Sequence, residues 1–146
     1  RLSLDAGAKT WVADGNDYNI LTNIFYGKEV GTFFEGERDK LQSRKTWIAS
    51  LGSPKGQLLI DDGAAKAISE GGSSLLPVGI TAIEGEFEKG SLVACRNQNQ
   101  EIARGFSNFN SFEINLILGL KSGEINTKLG YASAEEVIHR DNLVLS

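Results

Sequence analysis

A Pro/Gly-rich break, Gly52-Ser53-Pro54-Lys55-Gly56, separates two textures of sequence, and that change restricts the fold more than any other feature of the chain. Upstream, apolar residues come as one short run and one helical face. Thr10-Trp11-Val12-Ala13 reads as a buried strand stopped by Asp14-Gly15-Asn16-Asp17. Ile20, Leu21, Ile24 and Phe25 share one face of a helix, with Gly27 as its terminator. Before them, Leu2, Leu4 and Ala6 run into Gly7 like the last turn of another helix. Helix, strand, helix is the rhythm of an α/β domain. The charged segment 35–40 reads as a linker, and 41–50 as a short helix whose Trp47 and Ile48 call for burial.

Downstream of the break, short apolar runs alternate with turns. The reading is a strand at 57–60, then a helix at 64–69 with a carboxylate of Asp61-Asp62 as its cap. A second strand spans 78–85, and 87–91 forms a hairpin loop into a strand at 92–96. A turn at 97–100 precedes a strand at 101–105, helices follow at 112–120 and 123–129, and a last strand spans 137–145. Short strands at this spacing with few helices between them predict a small barrel or rolled sheet, so the chain as a whole is α+β.

At 146 residues and 40% hydrophobic, the chain has material for one ordinary core or two small ones. No stretch approaches the roughly 20 apolar residues of a membrane span, and the first residues hold no basic segment leading into an apolar run. Both features argue for the cytoplasm. The single cysteine, Cys95, sits in the apolar run Leu92-Val93-Ala94-Cys95; it permits no disulfide within the chain and no multi-cysteine metal site, and reads as core. The absence of any methionine points to a piece of a longer protein. Net charge is −4, and from Gly56 onward seven Lys/Arg stand against twelve Asp/Glu. Nucleic-acid binding draws its affinity from a basic footprint, which this half lacks.

Several motifs invite a chemical reading. His139-Arg140-Asp141 mimics the catalytic triplet of protein kinases, but a glycine-rich loop, a strand lysine and a downstream metal-binding Asp are all missing, so a polar turn is the better reading. Asp61-Asp62 resembles a metal pair and is better explained as a helix cap. Gly71-Gly72-Ser73-Ser74 has no lysine at Walker spacing and reads as a helix terminator and turn. Arg38, Lys40, Arg44 and Lys45 are interleaved with Glu35, Glu37 and Asp39, the pattern of a solvated surface.

Taken in order, Val30-Gly31-Thr32-Phe33-Phe34, Arg44-Lys45-Thr46-Trp47-Ile48 and Ser74-Leu75-Leu76-Pro77-Val78-Gly79-Ile80 resemble the domain junction and second domain of bacterial glutamate 5-kinases. Gly85-Glu86-Phe87 with Gly90, Ile102-Ala103-Arg104-Gly105, Leu129-Gly130-Tyr131 and His139-Arg140-Asp141-Asn142 continue the likeness to the end of the chain. The resemblance implies a remnant of an α/β amino-acid-kinase domain at 1–34, a linker with a short helix at 35–55, and a PUA-type small β-barrel with short helices at 56–146.

For the parent enzyme, the resemblance implies ATP- and magnesium-dependent phosphorylation of the glutamate side-chain carboxylate, the first step towards proline. The glycine-rich nucleotide loop and the glutamate-binding residues have no counterpart here. No catalytic, cofactor-binding or metal residue is therefore carried over, and the fragment is expected to be inactive alone. Its partners would be the missing N-terminal kinase domain and, in the parent, further copies in a homo-oligomer. Its role would be oligomerisation or feedback by proline. The alternative is an RNA-binding module, for which the resemblance places a ligand face at Gly63, Lys66, Ser73, Ser74 and Gly79; of these only Lys66 is basic.

Overall fold

A computed structural model describes residues 9–35, 40–131 and 134–146. The helix end expected at 2–7 and most of the charged segment 35–40 lie outside the described residues. The chain divides into two compact units after Trp47, inside the stretch read as a linker.

In the first unit, β1 (Thr10–Val12) pairs antiparallel with β2 (Thr32–Phe34), Trp11 opposite Phe33. Their rings lie 4.2 Å apart between centroids. Gly31, at φ +69°, leads into β2 where a Cβ would stand 2.3 Å from the Val12 carbonyl oxygen, so only glycine fits. Helix α1 (Ile20–Phe25) forms where the apolar spacing predicts it. The expected burial does not follow. Val12 is 60% exposed, Phe25 87%, and α1 holds no buried residue. Among the described residues, the two strands and α1 offer too few layers to enclose an apolar face.

Helix α2 (Lys40–Ser50) matches expectation in extent. Ile48 is fully buried, but Trp47 stays 42% exposed. Successive helical residues point about 100° apart, so one cannot follow the other inward.

The second unit is built on a five-stranded mixed sheet in the order β4-β3-β5-β6-β7. Its strands are β3 (Gly56–Ile60), β4 (Ile80–Glu84), β5 (Leu92–Asn97), β6 (Gln100–Phe106) and β7 (Leu143–Leu145). Only β3 and β5 run parallel, with Leu58 beside Cys95. The segment 87–91 is therefore not a hairpin loop. It carries the chain from the outer strand β4 past β3 to β5. The last strand is also shorter than expected: Ile138 makes an isolated bridge to Leu75, a 3-10 turn spans Arg140–Asn142, and β7 begins only at Leu143.

Residues 92–95 of β5 are buried on both faces, which is why they read as an unbroken apolar run. One face, with Leu58, Val93, Cys95 and Ala103, joins the main core of Ile68, Phe109, Ile114, Ile117 and Ile125. The other, with Leu92 and Val144, packs on Ile48. The helices covering the main core are α3 (Asp62–Gly71), α4 (Ser111–Ile117) and α5 (Ile125–Leu129). Asn110 and Glu113 close a capping box on α4. Across the sheet, Glu101 Oε1 accepts from Arg104 Nε and Ser146 Oγ, each at 2.8 Å. Among the described residues no helix is long and apolar enough to cross a membrane.

Candidate ligand cleft

Asp61 follows β3 and caps α3: its Oδ1 accepts from Ala64 N at 2.7 Å. At the other end, Gly72 takes the left-handed conformation, φ 56°, that stops the helix and turns the chain back along it. The returning segment is pinned by Leu75, whose N–H donates to the Ile138 carbonyl at 2.9 Å and whose carbonyl accepts from Val137 N at 2.8 Å. It then enters the 3-10 turn Pro77–Gly79. Gly79 touches α3 so closely that a Cβ would lie 2.6 Å from the Ala64 Cβ, and its carbonyl accepts from Asp61 N at 3.0 Å.

Between α3 and this returning segment lies a cleft of about 400 Å³. Its walls are Ala64 and Ala67 on the helix and Leu75, Leu76 and Val78 opposite, with the hydroxyl-bearing Ser73 and Ser74 at one end and Asp61 and Gly63 at the other. The Ser74 Oγ accepts from Arg140 N at 3.0 Å, which leaves its own proton free to donate. The volume and apolar lining suit a small ring or a side chain with a few polar edges.

Four of the five residues named from the sequence, Gly63, Ser73, Ser74 and Gly79, meet in this cleft. Lys66 does not join them. It lies about 100° round the helix from Ala67, on the exposed side, where its Nζ stands 3.9 Å from Glu70. Asp61 is the only ionisable residue in the lining. Sequence reasoning missed Asp61, Ala64 and Ala67 as lining. Ala64 and Ala67 share one face of α3 with Gly63, a signal readable once the helix is placed. The approach of Arg140 to Ser74 depends on the long-range bridge between Leu75 and Ile138 and leaves no local trace.

The other candidate motifs take structural roles. In the protein-kinase-like triplet, His139 caps the 3-10 turn, its Nδ1 accepting from Asp141 N at 3.2 Å. Cys95 is fully enclosed, and burial, reinforced by the charge of Glu101, pushes its thiol up to about 12. The Gly71-Gly72-Ser73-Ser74 loop stands at the C-terminal end of α3, where carbonyls rather than N–H groups are free. That end repels phosphate, so these residues do not fit a nucleotide cradle. Among the described residues no three His, Cys, Asp or Glu side chains converge on a possible metal position.

Comparison with known proteins adds three findings. The family described as PUA domain matches residues 56–129. Curated glutamate 5-kinases match nearly the whole chain: one from Hydrogenovibrio crunogenus is 43% identical over 97% of this chain, one from Saccharophagus degradans 44% over 99%, and one from Trichlorobacter lovleyi 48% over 95%. The chain spans 37–39% of the length of these relatives, at their C-terminal part. Among solved structures, a PUA domain from Aeropyrum pernix K1, crystallised with tartrate, aligns at TM-score 0.43 and 24% identity, covering 75% of this chain and 51% of its own.

Proposed function

From a chain that belongs to the PUA domain family and matches the C-terminal part of glutamate 5-kinases, we propose that this polypeptide is the regulatory and structural end of such a kinase. The whole cytoplasmic enzyme would use ATP and magnesium to phosphorylate the side-chain carboxylate of glutamate. Residues 1–34 would complete its amino-acid-kinase domain, 35–55 link the two parts, and 56–146 form the PUA domain.

The observation that carries this reading is the match along 95–99% of the chain to relatives of that one activity. Phosphoryl transfer needs a phosphate cradle, cations and an oriented nucleophile. In this reading the glycine-rich nucleotide loop and the glutamate-binding residues belong to the rest of the enzyme, and this portion assists their chemistry through oligomerisation or feedback by proline. Removing residues 56–146 from the full-length enzyme tests this. The expected result is a changed proline inhibition curve or a changed oligomer mass; if both stay as they were, the reading fails. The isolated chain should release no ADP from ATP and glutamate.

A second reading, RNA binding at the cleft, is favoured by the convergence of Gly63, Ser73, Ser74 and Gly79. Against it stands a lining without a cation. An RNA complex would weaken steeply with salt. A flat titration of single-stranded RNA at low ionic strength removes this reading.

A further inference from the structure

A second groove, of about 700 Å³, shares no residue with the cleft. One wall is the connection from β4 to β5, and that wall is held firmly. Phe87 is buried, its N–H donates to Ser111 Oγ at 3.3 Å, and its carbonyl accepts from Ser111 N at 3.0 Å. Below it, Gly56 packs so tightly that a Cβ would stand 2.4 Å from the Phe87 ring, and Gly90 N donates to the Ser107 carbonyl at 2.8 Å. With Phe87 anchored inside, its neighbours Glu86 and Glu88 remain exposed at the groove.

Lys55, Phe112 and Asn115 line the same groove. Phe112, in the first turn of α4, is 69% exposed although aromatic. Lys55, Glu86 and Glu88 line one hollow, so a cation and two anions face the same volume. This combination selects by charge. A simple anion meets two carboxylates, a simple cation meets the lysine, and a nucleic acid strand meets net negative charge. A molecule carrying both signs satisfies all three groups, and an aromatic face adds attraction for an alkylated ammonium.

We propose that this groove binds a small zwitterion, its ammonium held by Glu86, Glu88 and the ring of Phe112 and its carboxylate by Lys55. Exposed charges contribute modestly, so binding is weak and suited to a solute present at high concentration. The inference is independent of the kinase reading and of the cleft.

Amide NMR of the 146-residue chain titrated with glycine betaine tests it, with choline chloride and sodium acetate as single-charge controls at matched ionic strength. Saturable shifts at Gly85, Gly90 and Asn115 are expected with betaine and not with either control. Phe112→Leu should weaken betaine by about two- to fivefold. Glu86→Gln with Glu88→Gln, or Lys55→Gln, should abolish the preference over the controls, and these exposed sites leave the thermal midpoint unchanged. Shifts that never saturate, choline binding as well as betaine, or variants that bind like the parent would each overturn the proposal.

Discussion

Ile48, Leu58 and Ile114 lose all contact with solvent in the second unit, whereas Leu21, Phe25 and Tyr26 in the first keep most of theirs. Apolar residues make up similar fractions of the two units, 18 of 47 and 41 of 99, yet among the described residues only the second encloses them. The difference lies in layers. The second has a five-stranded sheet with helices on one face and Ile48 on the other; the first, among its described residues, has a two-stranded ribbon, a six-residue helix and the start of α2. An apolar surface left open in this way is a demand for further structure, which agrees with the proposed place of residues 1–34 at the edge of a larger kinase domain.

The contrast can be challenged experimentally. If the second unit is closed as described, Cys95 should react with a thiol reagent about a thousandfold more slowly in the folded chain than in urea, because only the opened fraction exposes it. Comparable rates in both conditions would mean that the core is not shut. Leu58→Ala should lower the unfolding free energy of this unit by about 2–5 kcal/mol through a cavity under the sheet, read as a drop in the urea midpoint. Asp61→Ala removes the cap of α3 and should cost about 1 kcal/mol, while Asp61→Asn keeps the cap and should cost little.

Acid gives a smaller effect of known sign. Burial opposes the charge of Glu101, but hydrogen bonds from Ser146 and Arg104 and the nearby charges of Arg104 and Arg96 outweigh it and hold the carboxyl below its usual value. Because the folded value is the lower one, this contribution is present above the ordinary glutamate pKa of about 4.3 and fades as pH falls through the folded value. Glu101→Gln should flatten that part of the stability–pH curve. Smallest of all, Phe25→Ser should shift the stability of the second unit by less than about 0.5 kcal/mol; a large loss would show that the units do not stand apart energetically.

Legibility in the sequence followed the range of the forces involved. The helix at 64–69 with its carboxylate cap, the stop at Gly72 and the buried run at 92–95 are local, and periodicity and turn chemistry disclosed them. The parallel pairing of β3 with β5 is not local. Nothing in 87–91 distinguishes a hairpin loop from a crossing, since glycines at 85 and 90 suit both; the outcome turns on Phe87 fitting against Gly56 far upstream. The strand at 10–13 reads as buried, yet Trp11 and Val12 stay exposed, because apolar spacing reports which face wants cover and is silent on whether cover exists. For the cleft, Gly63, Ser73, Ser74 and Gly79 came from family likeness, whereas the exclusion of Lys66 and the nearness of Arg140 required coordinates.

The bridge between Leu75 and Ile138 joins two segments that leave the ribosome far apart in time. A ribosome emits the segment holding Ser74 and Leu75 long before the one that clamps it, so a nascent chain carries both sides of the cleft without the brace that fixes their spacing. If a ligand of the cleft needs that brace, its binding waits until residue 138 has cleared the exit tunnel.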